Sequence, residues 1–133
     1  ARWGDEQWLN SRGQVFRGAA RAPEAGMPQL TGPDGTQEQV MQQYWSLTQV
    51  LRPLGHSIAQ LELRARGSWF VTTSEGLELL LGRDEILEKM RRFTSIYELE
   101  LKQRINQVAR VDLRYANGLA IAWRDQNSET AVQ

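Results

Sequence analysis

The 133-residue chain has no cysteine, which excludes disulfides and thiolate metal sites. That absence does not fix a compartment, because a domain with a good core persists in an oxidising space without disulfides. Histidine is nearly absent too. His56 stands alone in a Pro/Gly-rich connection, so no Ser/His/Asp set is credible and a metal site would need carboxylates alone. A lone loop histidine reads as structural. Net charge is missing: 16 Lys+Arg balance 16 Asp+Glu, so the basic surplus that nucleic-acid binding needs is not there. No run of about 18 apolar residues occurs, so no helix of this chain is expected to span a membrane. Phosphate-loop chemistry is also lacking. Gly32-Pro33-Asp34-Gly35 is followed by Thr36-Gln37, not by the Lys-Ser/Thr pair of a phosphate loop, and Pro33 removes an N–H.

What is present suits one domain with one core: 41% hydrophobic and 24% charged residues. Ala1 to Phe16 reads as two short strands around Ser11-Arg12-Gly13, anchored by Trp3, Trp8, Val15 and Phe16. Arg17 to Gly35 reads as an ordered loop lying on the core through Met27 and Leu30. Thr36-Gln37-Glu38-Gln39 fits a capping box. A helix then runs to about Arg52, with Val40, Tyr44, Leu47, Leu51 and Leu54 as its apolar stripe, and Pro53 and Gly55 stop it. Three strands follow as a meander: 57–65, 68–73 and 77–81, with turns at Arg66-Gly67 and Ser74-Glu75-Gly76. A second helix is expected from an Asp84 cap to about Ile105. Its stripe is Ile86, Met90, Phe93, Tyr97 and Leu101, with Arg91, Arg92, Lys102 and Arg104 outside. Asp84, Glu85 and Glu88 lie beside Lys89, Arg91 and Arg92 and read as a solvated helix face rather than a metal site. The polar tail 125–133 is expected to be disordered. The fold class is therefore α+β: a mostly antiparallel sheet with two helices packed on one face.

The last hairpin, Ala109 to Arg124, is the focus of the chain. Asn117-Gly118 between two strand-like runs predicts a two-residue type I′ turn, whose central residues both need φ > 0. The pairing then follows: Ala116 opposes Leu119, Tyr115 Ala120, Arg114 Ile121, Leu113 Ala122 and Asp112 Trp123. One face, Val111, Leu113, Tyr115, Ala120 and Ala122, reads as core. The other, Asp112, Arg114, Ala116, Leu119, Ile121 and Trp123, mixes apolar groups with charge. A final strand is often an edge whose unpaired N–H and C=O groups template another strand, so the hairpin is expected to form an exposed sheet edge. Either another part of the chain covers the mixed face, or a partner does. Trp123 beside Arg114 has the composition of an interface hot spot, and Arg66 is a second candidate.

These residues carry a family resemblance. Ala1-Arg2-Trp3-Gly4-Asp5 with Asn10 to Phe16, then Leu30-Thr31-Gly32-Pro33-Asp34-Gly35, and finally Val111-Asp112-Leu113-Arg114-Tyr115-Ala116-Asn117-Gly118 ending at Trp123 follow one another as in the FtsQ/DivIB cell-division family. Arg66-Gly67-Ser68-Trp69 and Leu81-Gly82-Arg83 fit in order between them. The resemblance is to the family's periplasmic β domain and covers residues 1–124. It implies a non-enzymatic domain without cofactor, metal or small-molecule substrate. It also implies an inner-membrane helix and a POTRA domain upstream, and a place at the division septum. The implied partners are FtsB and, through it, FtsL, with FtsB adding a strand to the edge of the terminal hairpin. Carried over by position, Arg66 and Arg114 would meet acidic residues of FtsB, and Tyr115 and Trp123 would form its aromatic pocket. Asn117 and Gly118 would be the turn. Ala116-Asn117 departs from the family's usual residues there.

Two other readings remain beside it. One is an interaction module of another envelope assembly or transport system. The other is an envelope hydrolase whose two acids meet only in space.

Overall fold

The computed structural model describes residues 2–3, 7–9, 15–16, 28–116, 118–124 and 126–132, giving the backbone course alone for 2, 7–9, 15–16 and 126–132. Among the described residues ten short strands form one sheet. They are β1 Arg2–Trp3, β2 Gln7–Leu9, β3 Val15–Phe16, β4 Gln29–Thr31, β5 Ile58–Leu63, β6 Trp69–Thr73, β7 Glu78–Gly82, β8 Val108–Asp112, β9 Leu119–Trp123 and β10 Gln126–Val132. Their order is β10-β9-β8-β7-β6-β5-β4-β1-β2-β3. Six of the nine neighbouring pairs are antiparallel; β1–β4, β4–β5 and β7–β8 are parallel. Helix α1, Gln37–Leu51, links β4 to β5, and helix α2, Ile86–Ile96, lies between β7 and β8. Helices stand at these two places because a parallel return is too long for a tight turn. The α+β class, mostly antiparallel with two helices, is as expected.

One row of side chains runs across the sheet toward the helices. Register aligns Trp3, Leu30, Leu61, Val71, Leu79, Val111 and Ile121, all buried. Onto this row α1 lays Val40, Leu47 and Leu51, and α2 lays Met90 and Phe93, continued by Tyr97 and Leu101. The period-2 and period-3.6 stripes of the sequence meet here, which is why both were legible. Of the expected stripes, Tyr44, Leu54 and Ile86 lie only partly buried, at the rim. Trp45 is 43% exposed.

Several local expectations differ. The capping box does not form: Thr36 Oγ1 donates to Pro33 O at 2.6 Å, closing the turn before α1 instead of capping it. The cap position of α2 is Glu85 rather than Asp84, held at φ 53°. The helix ends at Ile96 and widens into a five-residue turn over Tyr97–Leu101, closed by Lys102 N–H to Tyr97 O at 2.9 Å. The expected turn at Ser11-Arg12-Gly13 and the anchor Met27 lie outside the described residues.

The expected sheet edge is also different. The tail, expected to be disordered, runs as β10 antiparallel to β9, with Thr130 opposite Ile121 and Val132 opposite Leu119. The terminal hairpin is therefore flanked on its outer side, and β10 is the last strand. The open row of N–H and C=O groups on β9 is a template, and only residues 124–125 separate the two strands, so little chain entropy opposes closure.

The loop between β4 and α1 is packed as tightly as the core. A Cβ added to Gly32 would stand 2.7 Å from Thr36 Oγ1, 3.1 Å from Trp3 Cη2 and 3.2 Å from Val40 Cγ2. Gly32→Ala is expected to lower unfolding stability by about 1–3 kcal/mol, the usual cost of overpacking. Urea denaturation reads it, and an unchanged midpoint would mean the loop yields freely.

Candidate functional site

The connection between β8 and β9 occupies residues 113–118, not a two-residue turn. Register pairs Val111 with Ile121 and Asp112 with Ala120, and Val108 with Trp123 beyond a bulge. The expected pairing of Asp112 with Trp123 is thus shifted, and the faces exchange accordingly. Ile121, Leu119 and Trp123 join Val111 on the helix side, while Ala120 and Ala122 stand with Arg110 and Asp112 on the open side. Asn117, expected in the turn, lies outside the described residues.

Two side chains explain the wide loop. Asp112 ends β8 by accepting from the Arg114 backbone N–H at 3.0 Å, from Arg114 Nε at 2.8 Å and from Nη2 at 2.7 Å. This is an Asx-type turn, which competes with ladder pairing. From α2, Arg92 donates to the carbonyls of Tyr115 (2.9 Å), Gly118 (3.0 Å) and Ala116 (3.0 Å). A guanidinium fork suits this, because it supplies several donors in a fixed plane. Sequence reading placed Arg92 on the exposed side of its helix. The signal was its i,i+3 relation to Lys89: both flank the Phe93 stripe, on the side that faces β7 and the loop.

Asp112 is only 6% exposed. Burial alone would raise its carboxyl; the Arg114 side-chain and backbone hydrogen bonds, with the charges of Arg114 and Arg110, outweigh that and hold it below the usual carboxylate range. A depressed folded-state value gives stability that is present above the unfolded value, about pH 4. It is lost as pH falls through the folded value. Asp112→Asn is therefore expected to lower stability at pH 7 by about 1–2 kcal/mol, discounted because Arg114 is half exposed. The gap between variant and parent should narrow in thermal melts as pH falls from about 5 toward 3. A gap independent of pH would remove the ionic role.

The same end of the sheet carries a cationic corner. Ser68, Gly82, Arg83, Asp84, Lys89 and Arg114 line an open concavity of about 590 Å³. Lys89 is fixed inside it, donating to Leu81 O at 2.8 Å with Asp84 Oδ1 at 3.8 Å. Gly82, at φ 74°, admits this crowding: an added Cβ would meet Lys89 Nζ at 3.1 Å and Arg114 Cγ at 3.4 Å. Arg66 stands exposed on the adjoining 64–67 turn. Tyr115 is 50% exposed, Ala116 is exposed and Gly118 is buried.

The structure thus brings Arg66, Arg114, Tyr115, Ala116 and Gly118 to one end of the sheet. Trp123 is at the other end of β9, about 14 Å away along the strand. It is partly buried against the core, with the Arg104 guanidinium 4.8 Å from its ring centroid. The open face between the two ends carries Phe70 and Leu80 among three ion pairs, Arg64–Glu62, Arg110–Glu78 and Arg114–Asp112.

His56 is buried, with Nε2 3.2 Å from Tyr97 OH and Nδ1 3.4 Å from Glu75 Oε2; the Tyr97 hydroxyl donates to Leu54 O at 3.1 Å. With Tyr97 it ties the turn after α2 to the chain just past α1, a structural task. Among the described residues no group of three His, Asp or Glu side chains is placed to hold a metal ion.

Comparison with known proteins gives a consistent picture. The family model "Cell division protein FtsQ/DivIB, C-terminal" matches residues 1–114. The cell division protein FtsQ of Cellvibrio japonicus is 39% identical over 131 residues, covering 98% of this chain and 40% of that protein. FtsQ of Shewanella oneidensis is 35% identical over 132 residues, with 99% and 50% covered. FtsQ of Alcanivorax borkumensis is 36% identical over 126 residues, with 95% and 49% covered. The chain spans half or less of the length of these relatives.

Proposed function

The chain belongs to the FtsQ/DivIB C-terminal family of cell division proteins, and from that premise we propose that it is a non-enzymatic docking domain of the divisome. It binds FtsB, and FtsL through FtsB, by strand addition at the β8–β9 end of the sheet. Residues 1–124 are its β domain. The rest of the protein supplies a POTRA domain and a single inner-membrane helix, so that this domain works in the periplasm at the septum.

One observation carries the reading. The 113–118 loop is held open by Arg92 and presents half-exposed Tyr115 and Ala116 beside Arg114 and the cationic corner. An acidic, amphipathic segment is complementary to that surface. Strand addition would supply backbone hydrogen bonds while the loop supplies side-chain selectivity. The proposed contacts are Arg66, Arg114, Tyr115, Ala116, Asn117, Gly118 and Trp123.

Arg66 tests the charge component without touching the core, since it is exposed on its turn. Arg66→Glu is expected to weaken binding of a soluble FtsB fragment about five- to tenfold, mainly through slower association. The loss should shrink at high salt. Calorimetry and stopped-flow read both. Unchanged affinity at low salt would remove Arg66 from the interface.

A further inference from the structure

We infer that residues 126–132 are a built-in placeholder for the partner strand, occupying the outer flank of β9 until that strand displaces them. The inference rests on the docking reading above and specifies how the docking strand gains access.

The geometry is that of strand addition already carried out by the chain on itself. β10 runs antiparallel to β9, opposing Glu129 to Ala122, Thr130 to Ile121, Ala131 to Ala120 and Val132 to Leu119. Every residue of β9 except Trp123 is matched by this run, and Gln126 opposes Trp123. The flank of β9 is therefore competent to accept a strand over its full length. The register slips between Gln126 and Glu129, so residues 127–128 bulge out of the ladder. β10 pairs on one side only, since it ends the sheet.

The composition of the segment suits a seat that can be vacated. Gln126-Asn127-Ser128-Glu129-Thr130-Ala131-Val132 holds one aliphatic β-branched residue, and Asn, Glu and Ala are poor strand formers. Its hold comes from tethering: a segment joined through residues 124–125 sees β9 at an effective concentration far above that of any free partner. A partner strand that adds side-chain anchors at the 113–118 loop gains contacts beyond the β9 ladder itself. It can win the flank, with its apparent affinity reduced by the fraction of time the tail is seated.

The test compares the 133-residue chain with one ending at Arg124. Removing the tail is expected to tighten binding of the soluble FtsB fragment about tenfold and to speed its association. Hydrogen exchange gives the second arm. Outward amides of β9 should be protected in the full chain alone, exposed in the shortened chain, and protected again when the fragment binds. A thermal melt verifies that the shortened chain is folded.

Full-length variants guard against a folding artefact. Thr130→Pro and Ala131→Pro remove adjacent N–H groups, which point to opposite sides of the strand, so one of the two strikes the β9 ladder. That one should mimic truncation and the other should not. Equal or weaker binding by the folded shortened chain would overturn the placeholder, because the fragment would then dock beyond β10 or elsewhere. Loss of the underlying docking reading looks different and would sink both: neither form binds the fragment, although β9 still loses protection on truncation.

Discussion

Tyr115→Ala is expected to weaken binding of a soluble FtsB fragment by about 2 kcal/mol, roughly thirtyfold, with thermal stability unchanged. The side chain is half exposed, so truncation opens no cavity in the fold. The backbone around it is fixed independently: Arg92 holds the carbonyls of Tyr115, Ala116 and Gly118 whatever the side chain is. An aromatic ring on a preformed loop loses little entropy on binding and buries a large area, the combination typical of dominant interface residues. Calorimetry beside a melting curve separates the two effects. Unchanged affinity, or a fall in stability equal to the fall in affinity, would end its assignment as a contact residue.

Trp123→Ala is expected to act mainly on the fold. The ring packs on the core from the end of β9, opposite Val108 and beneath Arg104. Its removal should cost about 3 kcal/mol of unfolding stability, at the low end for a large aromatic because it is not fully buried. Partner affinity should fall as well, since Trp123 anchors the strand proposed to receive the partner. Arg104→Ala should cost only about 0.5–1 kcal/mol, the scale of an exposed cation–π contact. Urea denaturation measures both. A Trp123→Ala variant as stable as the parent would mean that the ring does not pack on the core.

The family resemblance implies a pocket near Tyr115 and Trp123, and the structure places Tyr115 in the 113–118 loop and Trp123 at the far end of β9. In this register Asp112 faces Ala120, and Trp123 faces Val108 beyond the bulge. Asn117-Gly118 is a strong local turn signal, but Asp112 outcompetes it by turning the chain at Arg114, and Arg92 satisfies the carbonyls that a tight hairpin would have paired. A side chain 24 residues upstream of Ala116 cannot be weighed in a local turn rule. The tail differs for a related reason: its polarity argues for disorder only if no strand lies beside it, and β9 does.

The sequence by itself determined the helix–meander–helix frame, the family and the apolar stripes of α1, α2, β5 and β7. Each of these rests on periodicity or spacing that neighbouring residues carry within one element. Tertiary structure alone decided the β8–β9 register, the Arg92 clamp, the seating of β10 and the separation of Trp123 from the cationic corner. Those depend on which distant donor reaches which carbonyl, and that competition is settled only when the sheet and α2 are packed together.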